Sequence, residues 1–462
     1  MTKQVPIVDP EGTPSDRKED VEAALFPLPF TPFEFYYLLE DRPGFPSVFQ
    51  IVLECRGTLD RISLESAYQF ALRRHPILAA QIDLDRRRWP SWVTCDVGPI
   101  VWVEADLAAT RNVVATAATS GVRLRITQSG DHYTFQFVFH HVAVDGVGAF
   151  LFIADLFLAY AHYASGASGD PELRRLDVAR LRDRDGHQLF NRRVKLVDLV
   201  RIAKVHLPLY VRRCAVVCNH GEPTQSKVAS DSVADYLVYD LSEEETAALS
   251  RVARTQSVML HELLVRDFFL LLNAWNQGSR EGRRPIRMAV PTNLRRREDY
   301  RMPAANVFSL AFLTRRPQEC EQRESLLASI RDEMEAIKRE KRGLYFEAGL
   351  RISCAWPAML RWSLGRKWPF ATAVFTNLGT GLDNVPLPVR NGLRVCGDLV
   401  FDGGAGAGPL RQDTNLSVAV HTYAGRMSVC VRCEPTLFNP DQQQAILDAY
   451  LGQLRSTIEL GT

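Results

Sequence analysis

No run of about 18 apolar residues occurs in the 462-residue sequence, so no transmembrane helix is expected. Charge of one sign is not in excess. The 56 Lys and Arg residues face 54 Asp and Glu, a formal net charge of +2, and this balance gives no reason to expect a nucleic-acid partner. Met1 to Lys18 is polar and has no apolar stretch of leader length, so no secretory signal is expected. The nine cysteines are odd in number and scattered, which argues against a disulfide framework and for free thiols in a reducing, cytoplasmic compartment. Cys430 and Cys433 have zinc-knuckle spacing, but they fall in a strand-like stretch where residues i and i+3 face opposite ways. Cys214 and Cys218 have no second pair nearby, so packing is expected rather than a metal. A Gly-x-Ser-x-Gly elbow is missing, which excludes the common serine-hydrolase arrangement.

What is present is an ordinary globular composition, 46% apolar and 24% charged, in a chain long enough for two domains or one bilobal unit. Residues 1–24 are rich in Pro, Asp, Glu and Lys and read as a loose tail. Phe49 to Cys55 reads as a strand, and Leu64 to Arg74 as a helix that stops at His75-Pro76. Tyr133 to Phe139 reads as a strand with aromatics at 133, 135, 137 and 139 on one face. Thr134, Gln136, Val138 and His140 fall on the other face. Gly146 to about Tyr163 is apolar nearly all round and reads as a buried helix. In the second half, strands are expected at 234–240, 287–291, 307–313 and 373–379, with a hairpin of 416–423 and 427–432. Helices are expected after Ser242, over 261–276 and 321–338, and after Asn439. The glycine run from Phe401 to Pro409 reads as a flexible loop; no Lys-Ser/Thr follows it, which excludes a P-loop. Strand and helix alternate in both halves, so the class is mixed α/β. The expected division is 25–165, a linker over 166–230, and 231–462.

The residues His140-His141-Val142-Ala143-Val144-Asp145-Gly146 sit where the aromatic strand ends and the buried helix begins. Adjacent strand residues point to opposite faces, so His140 and His141 cannot both line one pocket. This stretch resembles the His-His-x-x-x-Asp-Gly signature of the CoA-dependent acyltransferase superfamily. That superfamily includes nonribosomal peptide condensation domains, polyketide-associated and plant-type alcohol acyltransferases, wax ester synthases and chloramphenicol acetyltransferase. A second phrase, Ala71-Leu72-Arg73-Arg74-His75-Pro76-Ile77-Leu78, resembles the Arg-His-Pro-x-Leu segment of condensation domains and wax ester synthases. Pro291 to Arg295 resembles their Pro-x-x-x-Arg strand end, Asn306 to Ser309 their Asn-x-x-Ser segment, and Thr376 to Gly379 their Ser/Thr-Asn-x-Gly segment. The plant-type Asp-Phe-Gly-Trp-Gly motif has no counterpart in Phe401 to Pro409, which argues against that branch. The resemblance covers roughly residues 26–460. It implies two chloramphenicol-acetyltransferase-like lobes forming a V-shaped pseudodimer with the active site at their junction.

Site roles follow from the resemblance. His141 is the expected general base, a residue type whose ordinary pKa suits proton removal near neutrality. His140 is the expected structural partner. Asp145, though readable as a carboxylate orienting His141, is expected to be structural and to pair with an arginine of the other lobe. Arg295 is the candidate, with Arg296 and Arg297 beside it. Gly146 is expected to free the turn from side-chain hindrance and let backbone approach the substrate. Asn306, Thr376 and Asn377 are candidate polar liners of a substrate pocket; capping of turns is their other reading. No cofactor or metal is implied. The co-substrate is acyl-CoA or an acyl-phosphopantetheine carrier protein, and it must be separate, since no Gly-Gly-x-Ser carrier stretch is present. The expected function is a freestanding acyltransferase that joins an acyl thioester to a hydroxyl or amine. The alternatives are a wax ester or diacylglycerol synthase at a membrane surface, and a catalytically silent module that binds carrier proteins.

Residues 190–213 stand apart. Arg192, Arg193, Lys195, Arg201, Lys204, Arg212 and Arg213 interleave with aliphatic residues, and only Asp198 is acidic. One reading is a basic amphipathic helix for an anionic membrane or for phosphates. The favoured reading is a linker helix packed between lobes, interrupted by Pro208, which leaves peripheral membrane contact unexpected.

Overall fold

The computed structural model describes residues 25–85, 89–104, 121–185, 195–221, 235–365 and 368–461. The expected tail, Arg192 and Arg193 lie outside the described residues. The aromatic strand, His132–His140, runs through a sheet of seven strands among those described. It pairs antiparallel with Val48–Arg56 on one side and Val122–Ser129 on the other. Period-2 alternation explains its register. Phe135, Phe137 and Phe139 are fully buried and meet Phe152 and Phe157 of the helix Gly146–Ala164. Arg61–Arg74, capped by the Asp60 carboxylate on the Ile62 N–H, packs beside that helix. Gly146–Ala164 is long and apolar enough by composition to span a bilayer, although no uninterrupted apolar run announced it. It is buried along its inner side in the core of the first half.

A second sheet has six strands among those described, in the order Phe308–Arg315, Ile286–Asn293, Ala373–Asn377, Leu416–Tyr423, Arg426–Cys433 and Leu237–Asp240. Ala373–Asn377 is parallel to both neighbours, and the other pairings are antiparallel. The helices Glu243–Thr255, Leu260–Asn276, Arg323–Glu340 and Pro440–Gly461 build a separate apolar core on one face. Cys430 and Cys433 point to opposite faces of this sheet, the first into the seam between halves and the second into that core. The architecture is therefore mixed α/β with two lobes, as the resemblance implied.

Three elements depart from expectation. The glycine run is not a flexible loop: Leu399–Ala407 is a strand of the first lobe's sheet, paired antiparallel with Val48–Arg56. Its far side packs against Leu416–Tyr423 of the other lobe, and a Cβ at Gly404 would lie 3.1 Å from the Val52 carbonyl and 3.6 Å from His421. The second lobe's side chains reach the bare strand there: the Gly404 carbonyl accepts the Ser428 hydroxyl at 3.1 Å beside the His421 ring. Thus the second half lends residues 389–407 to the first lobe. Secondly, the helices Arg342–Cys354 and Pro357–Gly365 went unforeseen, since glycine disfavours helices. Gly349 is there for packing: a Cβ would lie 2.0 Å from the His206 ring. Thirdly, the basic segment forms a helix, Leu196–Val211, that runs through Pro208. Pro208 falls in the last turn, where its own carbonyl accepts the Arg212 N–H at 3.2 Å and the Arg287 guanidinium at 2.9 Å.

Candidate active site

The signature turn is held from both lobes. Asp145 caps the helix Gly146–Ala164, with its Oδ1 accepting the Gly148 N–H at 2.8 Å. Its Oδ2 accepts the Val307 N–H and an Arg295 Nη1 hydrogen, each at 2.7 Å. Arg295 also donates to the Ala305 carbonyl at 2.8 Å. Of the three candidate arginines, Arg295 is the one on Asp145; Arg296 turns to Glu298 and Asp299. Asn306 does not line the cavity. It is 4% exposed, and its Nδ2 donates to the carbonyls of His141 and Val142 at 2.6 and 2.7 Å, fixing the backbone of the turn. His75, from the second quoted phrase, joins the same frame: its Nε2 meets Asp155 at 3.1 Å and its Nδ1 accepts the Ala304 N–H at 2.8 Å.

The two histidines part as strand geometry requires. His140 is buried away from the cavity, with Nε2 3.3 Å from Asp41 Oδ2 and Nδ1 accepting the Val142 N–H at 3.2 Å. The His141 N–H donates to the Ser47 carbonyl at 2.7 Å. The His141 ring packs against Tyr37 and Phe308, with centroids 4.5 and 5.0 Å away and planes within 27° and 18°; these two rings also touch each other at 5.9 Å, and Phe49 tilts against the imidazole at 4.9 Å. Nδ1 is sealed from solvent, and the backbone of His141 and Val144 lies close enough to the ring to favour its protonated form. Burial among these rings pushes the imidazole pKa down to about 4; the Asp145 charge pulls the other way and the Arg411 charge adds to the depression. The ring is therefore neutral at neutral pH.

His141 lines a cavity of about 170 Å³ between the lobes. The first lobe contributes Tyr37, Phe49, Gln50, Gly146 and Phe150; the second contributes Asn293, Arg295, Phe308, Thr376, Asn377 and Arg411. Thr376 and Asn377 line it as expected, and Asn377 also caps its turn by accepting the Gly379 N–H at 2.8 Å. Gly146 lines it too, but not for a special turn. Its φ is not positive; what it permits is approach, because a Cβ would lie 3.3 Å from Leu378 Cδ2. Tyr37 and Arg411 were not foreseen. Tyr37 belongs to the aromatic helix Pro32–Glu40. Arg411 forms an ion pair with Glu40 at 2.9 Å, hydrogen-bonds the Tyr36 hydroxyl and lies over the rings of Tyr36 and Tyr37 at 5.0 and 5.7 Å. The density of aromatics in Phe33 to Tyr37 is a usable signal in hindsight; nothing local marks Arg411.

No family model matches the sequence, and no curated protein resembles it by sequence. Solved structures do resemble it. The first condensation domain of the CDA synthetase superposes with a TM-score of 0.69 at 14% identity, covering 93% of this chain and 96% of that one. The chain has the condensation-domain fold. Polyketide synthase associated protein 5 from Mycobacterium tuberculosis shares this condensation-domain fold with a TM-score of 0.63 at 16% identity, covering 94% and 97%. The X-domain from teicoplanin biosynthesis shares it at 0.62 and 16% identity, covering 93% and 95%. On a condensation-domain fold the cavity at His141 lies at the junction of the two lobes.

Proposed function

We propose that the chain transfers an acyl group from a thioester, carried by CoA or by the phosphopantetheine of a separate carrier protein, to a hydroxyl or amine. The observation that carries this reading is the His141 ring, packed against Tyr37, Phe49 and Phe308 at the wall of an interlobe cavity. In this reading Nε2 accepts the acceptor's proton as its oxygen or nitrogen attacks the thioester carbonyl. The tetrahedral intermediate then collapses, the C–S bond breaks, and the departing thiolate takes the proton back from His141. The Asp145–Arg295 pair acts through position: it holds the turn that presents His141 and joins it to the second lobe. Thr376 and Asn377 offer O–H and N–H donors to polar groups of the substrates, the kind of contact that stabilises a developing oxyanion. The neighbours include synthetase domains and a polyketide-synthase-associated protein, which supports thioester chemistry in assembly of secondary metabolites.

The test is a screen of acyl-CoAs and acyl carrier proteins against alcohols and amines, reading thiol release, with the wild-type chain and His141→Gln side by side. Thiol release in the wild type that falls about 100-fold or more in His141→Gln is the expected result. Equal turnover in the two removes His141 from the mechanism. Carrier-protein binding without thiol release assigns the chain to the silent binding module instead.

A further inference from the structure

We propose that the helix Leu196–Val211 docks the protein on an anionic lipid bilayer. Its inner face is accounted for. Ile202 and Leu209 are buried, Arg201 donates to the Tyr345 hydroxyl at 2.8 Å, and His206 stacks on Phe346 with centroids 5.1 Å apart. The fold leaves its outer face unused. Leu196, Val200, Ala203, Leu207 and Val211 recur every three or four residues, the spacing of a second apolar stripe, and all are exposed. Leu196 is 78% exposed, Leu207 58% and Val211 59%. A helix solvated on that side carries charged residues there. The stripe is basic at its edges: Lys195, Arg201, Lys204, Arg212 and Arg213 are exposed, whereas Asp198, the only acid over 195–213, is buried.

Shape and charge together select the occupant. The helix is about 24 Å long, and its exposed stripe is convex and edged by cations along its length. A bilayer accepts a convex apolar stripe at the level of its acyl boundary while its anionic headgroups meet the flanking cations. Of the grounds for expecting no membrane contact, the break at Pro208 is absent, and the expected packing covers only the Ile202 and Leu209 side of the helix.

The test is flotation of the full chain with phosphatidylcholine vesicles, with and without phosphatidylserine, at low and high salt. The wild type should float with the anionic vesicles only and release as salt rises. Each surface-near cation strengthens binding about fivefold, so Lys204→Glu with Arg213→Glu should weaken it by about 30-fold or more. Leu196→Glu with Leu207→Glu should abolish it, with an unchanged melting temperature because both positions are exposed. Failure of the wild type to float with anionic vesicles overturns the proposal, as does undiminished flotation of the Leu196→Glu, Leu207→Glu variant. Retention of an acidic carrier protein by the same cations, without vesicle binding, assigns the face to a protein partner and overturns it equally.

Discussion

Asp145→Asn changes one atom and strains three contacts. Asp145 Oδ2 accepts from Arg295 and Val307, and Oδ1 accepts from Gly148; the Asp145 and Arg295 side chains are 5% and 1% exposed. An amide of the same shape keeps one acceptor oxygen. With that oxygen toward Arg295 and Val307, its NH₂ opposes the Gly148 N–H and the helix cap is lost, about 1 kcal/mol. In the other orientation two donors lose their partner. Either way the Arg295 guanidinium is buried against a neutral group, and stripping one partner from a buried ion pair costs about 3–5 kcal/mol. Arg295→Gln strands Asp145 in the same manner and should cost a similar amount. In the double variant neither charge is stranded, so its cost should fall short of the sum of the two singles by about 2 kcal/mol. Urea titrations of the four proteins, followed by tryptophan fluorescence under one set of conditions, measure this directly. A double variant whose cost equals the sum of the singles, or singles within about 0.5 kcal/mol of wild type, would refute the claim that this pair ties the lobes together.

The pH profile of turnover should be flat from neutrality to about pH 5 and fall through about pH 4, where the buried His141 takes up a proton. The same group makes the fold acid-sensitive. Its folded pKa lies below the unfolded value of about 6.5, so between the two the unfolded chain binds more protons and stability falls as pH drops, by about 3 kcal/mol in all. Denaturant midpoints of His141→Gln should lose that much of the dependence on pH. Arg411→Gln removes a cation that depresses His141 and leaves the Glu40 carboxylate without its partner, so the acid limb of turnover should move to higher pH. Gly148→Ala should lower the melting temperature, because the added Cβ would lie 2.9 Å from the Ala305 carbonyl and the helix must retreat from the second lobe.

The parts of this fold that were legible in the sequence are those whose signal is local. The alternation of Tyr133 to Phe139 gave one face to the core, and the strand-turn-helix around His140 to Gly146 gave the site its centre. Arg295 was within reach because a strand end preceded it, although only packing separates it from Arg296 and Arg297. The rest is long-range. Gly403 to Gly408 looks like a loop until two lobes are known to close on it. Arg411 finds Glu40 and Tyr36 across most of the chain length. Asn306 was placed at the right turn with two tasks open, and it takes the second, since one side chain near a cavity reads the same whether it faces substrate or supports backbone. Pro208 weighs against a helix in any propensity scale, yet the helix runs three residues past it to Val211, with the Pro208 carbonyl taken up by Arg212 and by Arg287 from elsewhere in the fold.

The strand Leu399–Ala407 also decides how far this protein can be taken apart. A cut in the linker would give a first half whose strand Val48–Arg56 is left as a bare edge, its backbone open to pairing with any other chain. The second half would carry an orphan strand of small residues with no sheet to enter. The lobes are thus neither modules that evolution could exchange one at a time nor halves that could be made separately and mixed. They behave as a clasp, in which the closing piece is cut from one side and fastened into the other, so that opening the cleft wide means unfastening a sheet.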